Sequence, residues 1–463
     1  MMRISEAATL LGARHEGDAL FSQVLTDTRA LQPGALFVAL AGENFDGHDF
    51  LAAAQSAGAV AAMVSRIPAE VPEGLPLLLV EDTRAALGAL AAHWRMRFSL
   101  PLVGVTGSNG KTTVKEMCAA ILREAFTSGE ENGVLFTRGN LNNDIGLPLT
   151  LLRLRATHRA AVVEMGMNHP GEIAHLAALA RPTVAIVNNA QRAHLQGMGS
   201  VLNVAQEKGK IFKGLTEDGI AVWNADDPHA ELWWKMAAGH RPRTFGFSDT
   251  ADVRASEVVE RESCTTFALC LDGQRLPVTL YVPGIHNVRN ALAAIAACTA
   301  AGVSAVAAVE ALGKFRGVPG RLQLHELQCG ARLWDDTYNA NPDSTRAAID
   351  VLCEAPQVKK ILVLGDMREV GEAAAQVHDE IGGYAKSHGV HALYTVGAMA
   401  EVAAHNFGEG ARHFDSHERL SAALARVLDG DCAVLVKGSR SMRMERVVQA
   451  LAGQERGETC HAL

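Results

Sequence analysis

Short apolar runs alternate with amphipathic or alanine-rich stretches along most of this chain. Runs too short for helices, yet apolar on both sides, predict strands of a parallel sheet covered on both faces, with the intervening stretches as crossover helices. In the first part, Ala35 to Leu40, Val60 to Val64 and Leu77 to Val80 read as strands and Arg84 to Trp94 as a helix. The rhythm strengthens from residue 99, with strands expected at Leu100 to Val105, Ala160 to Met165, Thr183 to Asn188 and Ile220 to Trp223. Between Ala251 and Val282 the alternation is more polar, which predicts antiparallel strands added to that sheet. Two glycines and a proline in Lys314-Phe315-Arg316-Gly317-Val318-Pro319-Gly320 interrupt helix and strand alike and mark a hinge. Beyond it, Lys360 to Asp366, Ala392 to Val396 and Cys432 to Val436 read as strands of a second doubly wound sheet, with Asp366 and Lys437 at the carboxyl ends where such sheets bind ligands.

Two features invite a wrong reading. Ala291 to Val309 carries no charge, but it is alanine-dominated and broken by Thr299, Gly302 and Ser304, so two small-residue helices are expected and not a membrane span. Asp27-Thr28-Arg29-Ala30 recurs as Asp82-Thr83-Arg84-Ala85, but the flanking residues do not match, so no structural repeat is expected.

The sharpest chemical signal follows the strand at Leu100 to Val105. In Gly104-Val105-Thr106-Gly107-Ser108-Asn109-Gly110-Lys111-Thr112-Thr113, glycines turn the backbone tightly just before a helix start, whose unpaired N–H groups and dipole favour phosphate. Lys111 is then placed to reach terminal phosphates, and Thr112 to hold Mg²⁺. The usual phosphate-loop spacing asks for glycine at Val105, and Gly104 lies one residue too early, so the loop is a variant. The fold expected is therefore α/β with three domains: a small α/β N-terminal domain (1–98), a central P-loop ATPase-type domain with a mostly parallel sheet (99–314), and a C-terminal Rossmann-like doubly wound domain (315–463).

Charge and composition narrow the partners. The formal charge of −8 over 463 residues argues against nucleic acid, whose phosphate backbone selects clustered basic surface. The eight cysteines show neither C-x-x-C spacing nor the density of a disulfide scaffold, so reduced thiols in a cytoplasmic protein are expected. No apolar export signal follows Met1-Met2-Arg3.

Several further strand ends carry polar chemistry. Glu164, after Ala160-Ala161-Val162-Val163, is a candidate metal ligand beside bound phosphates, or else a solvated carboxylate. His194 lies past the next strand end and suits a metal or phosphate. His286, Asn287 and Asn290 precede the alanine-rich helix; asparagine suits the edge of an adenine ring, or it caps the helix. Asp335 to Asp343 is rich in turn-forming residues and by itself reads as a loop. Lys437-Gly438-Ser439-Arg440-Ser441-Met442-Arg443 gathers three basic groups able to close over an anion.

In their order along the chain these pieces resemble the Mur ligase family. They are joined by Thr26-Asp27-Thr28-Arg29, Asp46-Gly47-His48-Asp49-Phe50, Gly139-Asn140-Leu141-Asn142-Asn143-Asp144, Glu164-Met165-Gly166 and Gly365-Asp366-Met367-Arg368-Glu369. The resemblance spans all three expected domains, and the shifted glycine is that family's form. It implies an ATP-dependent amide ligase that phosphorylates the terminal carboxylate of UDP-MurNAc-tripeptide for attack by the amine of D-alanyl-D-alanine. The ATP ligands it implies are Gly107, Ser108, Asn109, Gly110, Lys111, Thr112, Thr113, His286 and Asn290, with Arg321 on phosphate and Asp336 on ribose. Two Mg²⁺ sites follow from Thr112, Glu164, His194 and Lys208, the last matching the lysine that the family carbamylates; Lys210 departs from the pattern, standing where glutamate is more usual. Catalysis would fall to Lys111, Lys208, His194, Glu164 and Arg321. Substrate contacts would come from Thr28, Arg29, His48, Asn142, Asn143, Asn339, Asn341, Lys437 and Arg440. A ligase adding a single amino acid, of the Mur or folylpolyglutamate type, and a nucleotide-dependent switch remain as alternatives. A monomer is expected, since no long amphipathic seam stands apart from the cores.

Overall fold

The protein is described from a computed structural model that covers residues 1–42, 45–127, 131–261 and 264–453. Three sheets carry the architecture. In the first, five strands run in the order Arg14–Glu16, Leu77–Leu79, Ala59–Val64, Ala35–Val38, Gln23–Leu25, parallel except for the first pair. The helix Thr83–Arg95 follows, its start fixed by Asp82, whose carboxylate accepts from the N–H groups of Arg84 and Ala85. Asp27 does the same for the short turn Thr28–Ala30, so the two Asp-Thr-Arg-Ala segments share a capping role while heading different elements.

The central sheet has nine strands. Seven run parallel, in the order Val253–Glu260, Arg241–Gly246, Ile220–Asn224, Val184–Val187, Leu102–Thr106, Ala160–Glu164, Val134–Phe136. Thr265–Leu271 and Gln274–Leu280 extend it antiparallel. The expectation of antiparallel strands over Ala251 to Val282 thus holds for two of three, because Val253–Glu260 first joins Arg241–Gly246 in parallel through a short register. Leu102–Thr106 and Ala160–Glu164 are buried along their whole length, as strands covered on both faces must be. The uncharged stretch forms two helices, Ile285–Ala300 and Ala305–Lys314, and its small side chains let the first pack closely on the helix Lys111–Thr127.

The last sheet orders Gln323–Glu326, Arg332–Asp336, Cys432–Lys437, Lys359–Gly365, Ala392–Val396 and Ala411–Phe414, antiparallel only at its first pair.

The cores divide unevenly. One apolar cluster runs from Leu87, Leu90 and Trp94 through Leu147 and Leu151 to Leu176, fusing the first unit to one face of the central sheet. The two clusters of the last sheet hold residues only from Leu322 onward. What joins that sheet to the rest is therefore the segment after Lys314 and the polar contacts described below. The seven described cysteines are unpaired, and Cys460 lies outside the described residues. Among the described residues no helix is long and apolar enough to cross a membrane.

Candidate active site

The strand Leu102–Thr106 lies directly between Ala160–Glu164 and Val184–Val187, so three carboxyl ends meet side by side. The glycine loop leaves the middle strand and enters the helix Lys111–Thr127. Gly110 has φ +76°, and a Cβ there would lie 2.2 Å from Asn290 Oδ1 and 2.7 Å from Asn188 Nδ2, so both conformation and space demand glycine. Gly104, by contrast, sits within the strand, where a Cβ would crowd Met165 and Pro182; it serves packing and is no part of the loop.

The loop is braced from the neighbouring strand end. Asn188 Nδ2 donates to the Asn109 carbonyl at 2.9 Å and to Asn290 Oδ1 at 3.0 Å. Asn189 Oδ1 accepts from the Asn109 N–H at 2.8 Å, and the Ser108 N–H donates to the Asn189 carbonyl at 3.0 Å. Lys111 folds over this loop, donating to the carbonyls of Gly107 at 2.7 Å and Ser108 at 3.1 Å. Burial depresses its pKa, against the pull of Glu164.

Beside the loop stand donors suited to a cation. Glu164 is 2% exposed; its Oε1 accepts from Asn142 Nδ2 at 2.7 Å, while Oε2 is buried without a partner. An orphaned carboxylate oxygen is costly unless something positive completes it. His194, in the left-handed region at φ +57°, has its pKa lowered mainly by burial. Lys208 is fully buried, and its side chain makes no hydrogen bond or ion pair among the described residues. Burial, then Lys111, holds its pKa well below the usual lysine range. No group of three His, Cys, Asp or Glu side chains gathers in metal-binding geometry among the described residues. Thr112, Glu164 and His194 thus fit a cation that keeps waters and phosphate oxygens as its other ligands, which is the habit of Mg²⁺.

The last sheet supplies the opposite wall. Arg321 Nη2 donates to Thr112 Oγ1 at 3.2 Å, its Nε is buried without a partner, and its guanidinium lies 4.0 Å from the Tyr338 ring centre. Asn109 and Asn341 pair through their amides at 2.6 and 3.3 Å. Arg192 forks onto Asp343 at 2.7 and 3.1 Å and reaches Glu380 at 3.3 Å. His194 Nδ1 lies 2.9 Å from Glu369 Oε2, off the line of a hydrogen bond. Two cavities meet here, sharing Asn109, Gly110, Arg321 and Ser344: one of about 710 Å³ over Glu164 and His194, the other of about 230 Å³ over His286 and Asp336.

Several residues expected to contact ligands are engaged by protein partners in this structure. His48 is 2% exposed, with Nδ1 2.5 Å from Asp46 and Nε2 accepting from the Ser65 N–H at 3.0 Å, so both ring nitrogens have partners within the first unit. Lys437 is also sequestered, its ammonium on Asp336 at 2.5 Å and on the Asn339 carbonyl at 3.0 Å. Asp336 Oδ1 accepts from the Leu322 N–H at 3.3 Å, so the pair ties the hinge to the sheet. Asn290 lines the smaller cavity, but its amide is engaged by Asn188 and by Asn287 at 3.1 Å. Asn287 lies inside the helix, which Gly284 precedes, and donates back to the Pro283 carbonyl, so it is not the cap. Asn142 holds Glu164, and Asn143 accepts from the Gly146 N–H at 2.8 Å at the start of the next helix. Asn341 caps the helix Pro342–Glu354 in a capping box. Asn339 folds onto the Ala340 N–H, and Arg440 pairs with Glu445. Arg29 is exposed and forks onto Asp27, on the surface turn that includes Thr28.

Other groups escaped the reading of the sequence. Asn188, Asn189, Arg192, Tyr338 and Glu369 gain their roles only from segments distant in the chain. Only Asn188 and Asn189 carried a signal, two asparagines closing a strand that neighbours the loop.

A phosphate loop between three parallel strand ends, facing a hinged Rossmann-like sheet across a two-part cleft, defines a nucleotide-using enzyme. Residues 21–95 match the Mur ligase family catalytic domain, residues 105–298 the Mur ligase middle domain, and residues 320–440 the Mur ligase glutamate ligase domain. The chain is 43% identical over 463 residues to the UDP-N-acetylmuramoyl-tripeptide–D-alanyl-D-alanine ligase of Escherichia coli, covering 99% of each. It superposes on a crystal structure of MurF from Acinetobacter baumannii with a TM-score of 0.89 and 32% identity, over 98% of this chain and 99% of that one. It also superposes on MurF ligase from Thermotoga maritima in complex with ADP, at 0.81 and 28%, over 95% and 99%. The chain belongs to the Mur ligase family and has its three-domain α/β fold.

Proposed function

We propose that this protein uses ATP to join D-alanyl-D-alanine to UDP-MurNAc-tripeptide through an acyl phosphate, yielding the UDP-MurNAc-pentapeptide precursor of peptidoglycan. The observation carrying this reading is the meeting of two cavities at Asn109, Gly110 and Arg321, a small one beside His286 and a large one over Glu164 and His194. The full-length relatives named for this reaction support the choice of substrates. Residues 1–98 serve as the UDP-sugar domain, 99–314 as the ATP-binding domain and 315–463 as the ligase domain.

The smaller cavity takes the nucleoside, with His286 against adenine. Loop N–H groups from Gly107 to Thr113 and the ammonium of Lys111 hold phosphate, so Lys111 leaves the carbonyls of Gly107 and Ser108 when ATP binds. Thr112, Glu164 and His194 would hold Mg²⁺, which would offset the charge of the two anions brought together for phosphoryl transfer. Arg321 turns its unpartnered Nε–H toward the same phosphates. Burial depresses the pKa of Lys208, which favours the free amine that would take up CO₂ with release of a proton; the resulting carbamate would be an anion able to help hold Mg²⁺. The larger cavity receives the tripeptide carboxylate and then the dipeptide amine.

The test is the purified protein with ATP, Mg²⁺, UDP-MurNAc-tripeptide and D-alanyl-D-alanine, followed by mass spectrometry. Pentapeptide formation with stoichiometric phosphate release is expected. Phosphate release that needs neither acceptor nor donor, with no pentapeptide, overturns the reading.

A further inference from the structure

Glu369 belongs to a loop that its own sheet holds rigidly. Asp366 Oδ1 accepts from the N–H groups of Met399 at 3.0 Å and Ala400 at 2.8 Å, at the start of the helix Ala400–Phe407. The Met367 N–H donates to His378 Nε2 at 2.9 Å, and the Arg368 N–H to Ser439 Oγ at 2.7 Å. Three consecutive residues are thus pinned, and the next, Glu369, is driven to φ +64°, a region that non-glycine residues avoid. Backbone held there persists only where surrounding contacts over-determine it.

What this loop meets is His194. The Glu369 carbonyl accepts from the Gln196 N–H at 3.4 Å, in the helix Leu195–Met198 that His194 opens, and the Glu369 carboxylate comes within 2.9 Å of His194 Nδ1, at ion-pair distance but off the hydrogen-bond line, so that a small turn of the ring closes the bond. His194 is also held in the left-handed region, at φ +57°, with its carbonyl accepting from Gly197 and Met198. Two strained residues from different domains therefore face each other, one ring nitrogen against one carboxylate. Nε2 makes no hydrogen bond among the described residues and is the nitrogen left for a ligand.

We propose that Glu369 is a positioning residue for His194: seating the ligase domain brings its carboxylate to Nδ1, which orients the imidazole and presents Nε2 to the cation. A carboxylate on the far nitrogen of a ligating histidine sets both tautomer and ring orientation. This inference rests on His194 being a metal ligand.

The experiment is a Mn²⁺ titration of the full-length protein with ADP present, read by the electron paramagnetic resonance of free Mn²⁺. Glu369→Ala is expected to weaken Mn²⁺ binding about tenfold. Glu369→Gln, which keeps length and polarity, should lose less. His194→Ala should weaken binding at least as much, and the double variant no further than His194→Ala alone, because Glu369 acts through His194. If His194→Ala weakens binding while Glu369→Ala and Glu369→Gln stay within twofold of the parent, or if the two losses add in full, the Glu369 assignment fails alone. If His194→Ala also stays within twofold, the metal reading of His194 fails and this inference falls with it.

Discussion

Arg321, just past the hinge, donates from Nη2 to Thr112 Oγ1 of the phosphate-loop helix across 3.2 Å. This places a guanidinium from the ligase domain against the hydroxyl proposed for the metal. The planar fork, stacked on Tyr338, is geometry that an ammonium does not reproduce. Arg321→Ala is expected to lower ATP-dependent ligation about 10²- to 10³-fold, the usual cost of one oriented donor on a developing anion. Arg321→Lys should recover little of that loss, as measured by phosphate release. Near-parental activity in the lysine variant removes the fork argument.

Lys111→Ala should abolish turnover while leaving the melting temperature within a few degrees, since the ammonium rests on loop carbonyls and packs against no apolar core. Calorimetry beside the ligation assay checks both halves. A collapse of the melting temperature, or retained activity, contradicts the role given to it.

Glu260, exposed at the end of a central strand, has Glu354 beside it, and partial desolvation first, then the hydrogen bond between the two carboxyls, push it up to about 7 from 4.5. A carboxyl raised on folding contributes stability that is complete below pH 4.5 and is lost as pH rises through about 7. Glu260→Gln mimics the protonated form, so the variant should match the parent in melting temperature at pH 5 and exceed it at pH 8. Equal losses in both proteins between these values refute the sign.

His286 is held neutral, its pKa lowered to about 4 by burial first and by Arg289 next. A histidine depressed on folding costs stability as pH falls from 6.5 toward about 4, because only the unfolded chain takes up the proton. His286→Gln should flatten the acid limb of the melting-temperature profile. An unchanged profile counts against the buried neutral ring.

His48→Ala should destabilise the first domain by about 2 kcal/mol, the cost of leaving buried partners unpaired. The KM for the UDP-sugar substrate should not move, since both ring nitrogens already serve Asp46 and Ser65. A raised KM with unchanged stability restores the substrate contact that the resemblance implied.

The strands were legible because buried parallel strands must be apolar on both faces. Leu102–Thr106, Ala160–Glu164 and Val184–Val187 each lie within two residues of the bounds expected from an apolar run of the sequence. The loop was legible too, since a tight turn before a helix restricts residue types locally. The polar residues were not. His48, Asn142, Lys437 and Asp336 all read as ligand contacts, and nothing in the sequence signals that each also has a protein partner 17 to 101 residues away.

The sequence by itself determined the α/β class, the phosphate loop and the hinge, because helix and strand periods and glycine conformations are local properties of the chain. Only the tertiary structure decided which polar groups remain free for chemistry. A buried polar side chain must find a partner, and here the partner comes from a remote segment. Glu164 and Arg321 are each left with an unpartnered buried atom, while Lys437, Asp336 and His48 all have partners within the protein.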